Sequence, residues 1–216
     1  MENYKKNLEL LTKNHVYSKD MEHDACGVGV IVSTEGKKSR DVVEYGIEAL
    51  KAVWHRGAVD ADGKTGDGAG IHLEIPKDFF IEKIEVTGHD YDNSEICVGM
   101  IFLPKNDYSA QESCKTIVES ELTKNNFSIY GWRQVPVNPK ILGQKAFQTM
   151  PEIMQVLFKS NDKNLLDKNL ERNIYETRKK IENKAFQLSL NNFYICSISS
   201  KSIIYKGLYL AESISD

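Results

Sequence analysis

Cys26 has the side chain in this sequence that is best placed for nucleophilic chemistry. It follows Ala25 and precedes a run of glycine and β-branched apolar residues at 27–33. Cleavage of the peptide bond between Ala25 and Cys26 would give one residue both a thiol and a free α-amine. An unperturbed α-amine has a pKa of about 8, so it can take the proton from its own thiol near neutral pH. The sequence therefore indicates a self-contained nucleophile, provided that the chain is cut before Cys26.

Two other interpretations of Cys26 stay open when the residue is taken alone. Free cysteine is among the most buried residue types, so a structural thiol in the core is the ordinary expectation. A redox-active or acyl-accepting thiol is the other, but such thiols often have a resolving cysteine nearby. The remaining cysteines, Cys97, Cys114 and Cys196, are far away in the sequence, and their spacing matches neither a zinc site nor a disulfide framework. The surrounding motifs must decide between these interpretations.

Composition predicts an ordinary globular protein. The 216 residues are 41% hydrophobic and 27% charged, with a net charge of -3. These values favour one large or two small domains and give no basic excess for nucleic-acid binding. Residues 1–25 lack the apolar run of a signal peptide, and no stretch is long enough to span a membrane. We therefore predict a reduced, cytoplasmic protein without a membrane or nucleic-acid partner.

Hydrophobic periodicity predicts one domain of mixed α and β structure. Ser39 is a suitable N-cap for a helix that runs to about residue 55. A glycine- and aspartate-rich loop occupies residues 58–70. Further helices are predicted at 110–125 and 162–185. Strands are predicted at 27–33, 69–75, 96–103, 127–137, 153–158, 193–199 and 203–208. The last two strands, joined by a short polar turn, are typical of a hairpin.

The loop at 58–70 contains an incomplete phosphate-binding pattern. Residues 63–65 read Gly-Lys-Thr, but a phosphate-binding loop needs glycine at position 58, which is Ala58. The segment after residue 65 is glycine-rich rather than helical, so no helix N-terminus would receive a phosphate. We therefore interpret these glycines as turn formers. In the following strand, His72 alternates with Ile71 and Leu73 and is predicted to face the opposite side.

Several segments, in this order, resemble the class II glutamine amidotransferases, in the version found in the large subunit of glutamate synthase. Residues 49–58 resemble that family's helix ending in His-Arg-Gly, and residues 60–71 resemble the loop that follows it. The segments that carry the resemblance are residues 24–29, 49–58, 60–71, 131–137, 193–200 and 204–207. A single motif of this kind is weakly specific, but their common order over residues 24–210 is a strong signal.

This resemblance implies a fold and a reaction. The expected fold is α+β, an N-terminal nucleophile hydrolase-like αββα sandwich with antiparallel sheets, incomplete at the C-terminus. Residues 1–25 would be a propeptide, and residues 26–216 part of the amidotransferase domain. Cys26 would attack L-glutamine, form a glutamyl thioester and release ammonia. Gly27 and Arg56 would support the nucleophile, although Arg56 is equally suited to stabilising a helix C-terminus.

The resemblance also implies partners and cofactors outside these residues. In glutamate synthase, ammonia passes to 2-oxoglutarate elsewhere in the protein, with FMN and an iron–sulfur cluster. We expect neither cofactor, and no metal, in this chain, and we expect the rest of a large subunit and a small subunit as partners. The family's Asn-Gly oxyanion donors do not occur in the sequence. A non-catalytic remnant, or the domain of another class II enzyme, therefore remains an alternative.

Overall fold

The computed structural model describes residues 2–14, 26–54, 57–165 and 167–215. It contains six α-helices, six β-strands and two short 3-10 helices (Pro139–Ile141 and Ala211–Ser215) within those ranges. The helices are α1 (Glu2–Asn14), α2 (Arg40–Ala52), α3 (Lys77–Val86), α4 (Tyr108–Lys124), α5 (Gln144–Thr149) and α6 (Asp167–Gln187). The strands are β1 (Ala69–Glu74), β2 (Cys97–Leu103), β3 (Phe127–Gln134), β4 (Glu152–Ser160), β5 (Tyr194–Ser199) and β6 (Ser202–Gly207).

Two antiparallel sheets form the centre of the fold. The larger sheet has the strand order β3-β4-β2-β5, and the smaller sheet consists of β1 and β6. In the larger sheet β2 pairs with both β4 and β5. In the smaller sheet Ile71 lies opposite Tyr205. The predicted α+β fold with antiparallel sheets is confirmed, and it is consistent with an N-terminal nucleophile hydrolase-like architecture.

Strand β2 separates two hydrophobic clusters, because successive side chains of a strand point to opposite faces. Ile101 and Leu103 pack in one cluster with residues of α4 and α6. Val98 and Met100 face a second cluster, which is shared with α3 and β6. Cys114 lies in the first cluster with no exposed surface, as its helical spacing predicts. The larger sheet is therefore covered by helices on one face and by the smaller sheet and α3 on the other.

The predicted hairpin near the C-terminus is wrong, because its strands belong to different sheets. Strand β5 is an edge of the larger sheet, whereas β6 pairs with β1. The Glu171 carboxylate accepts hydrogen bonds from the backbone N–H of Ser200 (2.7 Å) and from the hydroxyl groups of Ser199 and Ser200. The Ser199 hydroxyl in turn accepts a bond from the Lys201 N–H (2.9 Å). These bonds hold a turn that directs the chain from one sheet to the other.

The strand predicted at 27–33 is also not observed. Val28 and Val30 are 86% and 79% exposed, and residues 26–33 adopt no regular structure. A strand needs a partner that completes its hydrogen-bond ladder. None of the strands that the structure describes pairs with this segment. Its β-branched composition alone is therefore insufficient to form a strand.

Three helices were not predicted, and each has its own reason. Phe80 and Ile84 are fully buried and lie one helical turn apart on α3, so a periodic signal existed after Pro76. Helix α5 has only six residues, too few for periodicity to reveal. Helix α1 lies in residues 1–25, for which the resemblance implied a propeptide and no helix was predicted. Among the helices described here, none combines the length and apolar character needed to cross a bilayer.

Candidate active site

A wide cleft lies beside α2, β1 and the loops that follow β3 and β6, and Cys26 and Gly27 are on its border. The apolar face of α2 forms part of the lining through Val43, Ile47 and Leu50. The predicted cap of this helix is confirmed, since its N-cap serine side chain accepts a bond from the N–H two residues later. No residue of α2 is fully buried, in keeping with a helix that borders an open cleft.

Exposure distinguishes Cys26 from the other three cysteines. Cys26 is exposed, whereas Cys97, Cys114 and Cys196 are buried. Burial raises the pKa of the Cys114 thiol to about 11 and also raises the pKa of Cys97 and of Cys196. Because the thiolate is the reactive form of cysteine, these three buried thiols are poor nucleophiles at neutral pH.

The four predicted site residues divide into two that the structure describes and two that it does not. Ala25 and Arg56 both lie outside the described residues. Gly27 is exposed next to Cys26, in the segment without regular structure. The structure therefore brings Cys26 and Gly27 to the cleft, and the processing role of Ala25 and the supporting role of Arg56 stay predictions.

The loop at 58–67 is a folded turn rather than an irregular connection. Val59 and Gly66 form an isolated antiparallel bridge, and the Asp60 N–H donates to the Thr65 carbonyl (2.9 Å). Within the turn, the Asp62 carboxylate accepts bonds from the Thr65 N–H (2.7 Å) and the Thr65 hydroxyl (2.6 Å). These bonds hold the pKa of the Asp62 carboxyl well below its usual range.

Helix α5 contacts this loop through two hydrogen bonds. Lys145 donates to the Asp60 carboxylate over 2.8 Å, a contact that lowers the pKa of Asp60 and raises that of Lys145. The Ala146 N–H reaches the Thr65 hydroxyl at 3.4 Å. Sequence reasoning missed α5 as a partner of the loop, because the two lie about 80 residues apart in the chain and share no local pattern.

The segment at 131–137, which carries part of the resemblance, contacts a glutamine that connects the two sheets. Arg133 donates to the Gln155 side-chain oxygen (2.8 Å), and Gln155 donates to the Tyr205 hydroxyl (3.3 Å). Gln155 has no exposed surface and lies in the larger sheet, whereas Tyr205 lies in the smaller sheet. Trp132 donates to Glu119 on α4 (2.7 Å). The described contacts of this motif thus hold layers of the fold together.

Other cleft and strand residues behave as ordinary structural groups. His72 is exposed while Ile71 and Leu73 are partly buried, as the alternation predicts. The Gly-Lys-Thr segment leads into β1 and not into a helix, which agrees with its interpretation as a turn. Within the ranges that the structure covers, no group of three or more His, Cys, Asp or Glu side chains could hold a metal ion.

Comparison with known proteins shows the family to which the chain belongs. Residues 26–216 match the family model of the class-II glutamine amidotransferases, and the chain belongs to this family of enzymes. Cys26 is the first residue of the match.

Several proteins similar to this chain are glutamate synthases. The chain is 51% identical over 211 residues to the glutamate synthase [NADPH] large chain of Azospirillum brasilense, a match that covers 98% of this chain and 14% of that protein. It is 39% identical over 195 residues to ferredoxin-dependent glutamate synthase 1 of Arabidopsis thaliana, covering 89% of this chain and 12% of the relative. The spinach (Spinacia oleracea) ferredoxin-dependent enzyme is 37% identical over 193 residues, covering 88% and 12%. The predicted resemblance is confirmed, and the chain spans only about an eighth of these relatives.

Proposed function

We propose that this chain is the glutaminase part of a glutamate synthase, with Cys26 as the nucleophile. The observation that carries the proposal is the position of Cys26, which is exposed on the cleft and is the first residue of the family match. L-glutamine is the proposed substrate, because the family acts on glutamine through its side-chain amide. The similarity to glutamate synthases supports this enzyme over other members of the class.

The proposed reaction begins after residues 1–25 are removed by cleavage at Ala25. The freed α-amine of Cys26 takes the thiol proton, and the sulfur attacks the side-chain amide carbon of glutamine. The carbon–nitrogen bond then breaks, the nitrogen takes up the proton and leaves as ammonia, and a glutamyl thioester remains. Water attacks the thioester, releases glutamate and returns the proton to sulfur. Atoms and charge balance over the two steps.

Other groups complete this proposal. Gly27 and Arg56 are proposed to support the nucleophile. A tetrahedral intermediate needs oriented donors at its oxygen, and loss of one such donor lowers the rate by about a hundred- to a thousandfold. We assign these donors, and the groups that hold the glutamine α-carboxylate and α-amine, to the rest of the full-length protein. Transfer of ammonia to 2-oxoglutarate, FMN, the iron–sulfur cluster and a small subunit are assigned there as well, and no step given above uses them.

The proposal can be tested on the full-length protein. We expect mass spectrometry to find Cys26 as the mature N-terminus and to find one adduct on it after treatment with diazo-oxonorleucine, a glutamine-like electrophile. The variant Cys26→Ala should lose glutaminase activity, whereas Cys196→Ala should keep it. An intact N-terminus at Met1 together with no adduct would overturn the proposal in favour of a non-catalytic remnant. Glutamine hydrolysis without glutamate synthesis in the full-length protein would favour another enzyme of the class.

A further inference from the structure

The hydroxyl group of Thr65 connects two parts of the chain that are distant in sequence. It donates to the Asp62 carboxylate (2.6 Å) and accepts from the Ala146 N–H of α5 (3.4 Å). Thr65 is 5% exposed and is one of the few buried polar residues of the structure. A hydroxyl offers one donor and two acceptor positions, so this group both closes the loop and joins it to α5.

Two close backbone approaches restrain the same loop. A Cβ atom added to Gly143 would lie 2.5 Å from the Thr65 backbone nitrogen, and one added to Gly66 would lie 2.5 Å from the Tyr209 carbonyl oxygen. Atoms cannot approach that closely without displacing their neighbours, so only glycine fits at either position. Surface loops are usually mobile, but Thr65 and Gly66 of this loop are buried and pack against α5 and the segment that follows β6.

Part of this loop lines the cleft. Gly63, Asp67 and Gly68 line the cleft that Cys26 and Gly27 also border. Asp67 is exposed there, and its backbone N–H donates to the Ala58 carbonyl (3.1 Å). The position of this part of the cleft wall thus depends on the loop, and the position of the loop depends on Thr65.

We propose that Thr65 is a positioning residue for the reaction of Cys26 with glutamine. It acts through residues 66–68, whose placement it sets, and it does not contact the reacting atoms. This role rests on the proposed glutaminase function. It predicts that loss of the Thr65 hydroxyl impairs reactions that require a glutamine-like molecule to be bound in the cleft. Reactions that need only an accessible thiol should be unaffected.

The test compares Thr65→Val with Thr65→Ser in the mature full-length enzyme. Valine keeps the shape of threonine but loses both hydrogen bonds, whereas serine keeps the hydroxyl. Two probes of Cys26 are measured for each variant, namely diazo-oxonorleucine, which resembles glutamine, and iodoacetamide, which does not. We expect the second-order rate with diazo-oxonorleucine to fall about tenfold or more in Thr65→Val, because small displacements of a positioned group have effects of this size. Thr65→Ser should stay within about twofold of the natural protein.

The iodoacetamide reaction separates positioning from loss of structure. In a folded Thr65→Val enzyme, the rate at Cys26 should equal that of the natural protein, and Cys97, Cys114 and Cys196 should stay unmodified. If that variant fails to fold, Asp62→Ala tests the same connection, since alanine has no acceptor for the Thr65 hydroxyl, and it should show the same selective loss. An unchanged diazo-oxonorleucine rate in a folded variant would overturn the role of Thr65. Absence of any reaction at Cys26 in the natural enzyme would overturn the proposed function itself, and this role with it.

Discussion

Gly143 packs directly against Thr65, so closely that a Cβ atom at position 143 would lie 2.5 Å from the Thr65 backbone nitrogen. These two residues bring the N-terminal end of α5 into contact with the loop that lines the same cleft as Cys26. The contact requires that position 143 has no side chain, and the buried hydroxyl of Thr65 contributes to it. Substitutions at these positions therefore test the contact.

The variant Gly143→Ala should destabilise the protein, because the new methyl group overlaps the loop and must displace it. Overpacking of this kind typically lowers the free energy of unfolding by about 1–3 kcal/mol. Urea denaturation followed by circular dichroism measures the change. Gly29→Ala is the matched control, since nothing lies within 4 Å of the added Cβ atom there, and it should change stability by less than about 0.5 kcal/mol. Equal stability of the two variants would contradict the close packing.

Alkylation should distinguish the four cysteines of the chain. At pH 8, iodoacetamide should modify Cys26 and leave the three buried thiols intact, because burial raises the pKa of Cys97, Cys114 and Cys196 and blocks access to them. Intact-mass spectrometry should show one adduct in the native protein and four in denaturant. The control Cys26→Ser should show none in the native state. Labelling of Cys196 as fast as Cys26 would contradict the described core.

Protonation of the Asp62 carboxylate should lower the free energy of unfolding at acid pH. Hydrogen bonds from Thr65 lower its pKa in the folded state, so its contribution is fully present above the unfolded pKa of about 3.9 and is lost as pH falls below that value. Between pH 6 and pH 3, the free energy of unfolding should therefore fall more steeply in the natural protein than in Asp62→Asn. The exposed Asp90→Asn variant serves as the control and should follow the natural curve. Parallel curves for all three proteins would show that the Asp62 contact is absent.

Tyr205 should stabilise the packing of the two sheets through Gln155. The variant Tyr205→Phe keeps the ring but removes the acceptor of the Gln155 side-chain N–H, a group without exposed surface. An unsatisfied buried polar group costs about 1–3 kcal/mol, and thermal unfolding should detect a loss of that size. Tyr45→Phe, at a residue that is 58% exposed, should change stability by less than about 0.5 kcal/mol. Similar effects of both substitutions would argue against the connection between the sheets.

Elements with a local signal were predictable from the sequence. The cap of α2 at Ser39, the apolar strand β2 and the charged helix α6 all follow from residue types at short spacing. Errors arose where the outcome depends on a partner. Residues 27–33 have strand composition but no described strand beside them. Strands β5 and β6 are separated into two sheets by bonds between Glu171 and the Ser199–Ser200 turn. Periodicity contains no information about such partners.

The candidate site likewise has some features that the sequence predicts and others that only the tertiary structure decides. The sequence by itself identified Cys26 as the chemically distinctive residue and placed the chain in its family, because a motif is a local property of residue type and order. Only the tertiary structure decided that Cys26 is exposed while the other cysteines are buried, and that α5 holds the loop through Thr65. Burial and long-range contacts result from the packing of segments such as Thr65 and Ala146, 81 residues apart in the chain, and no short stretch of sequence encodes that proximity.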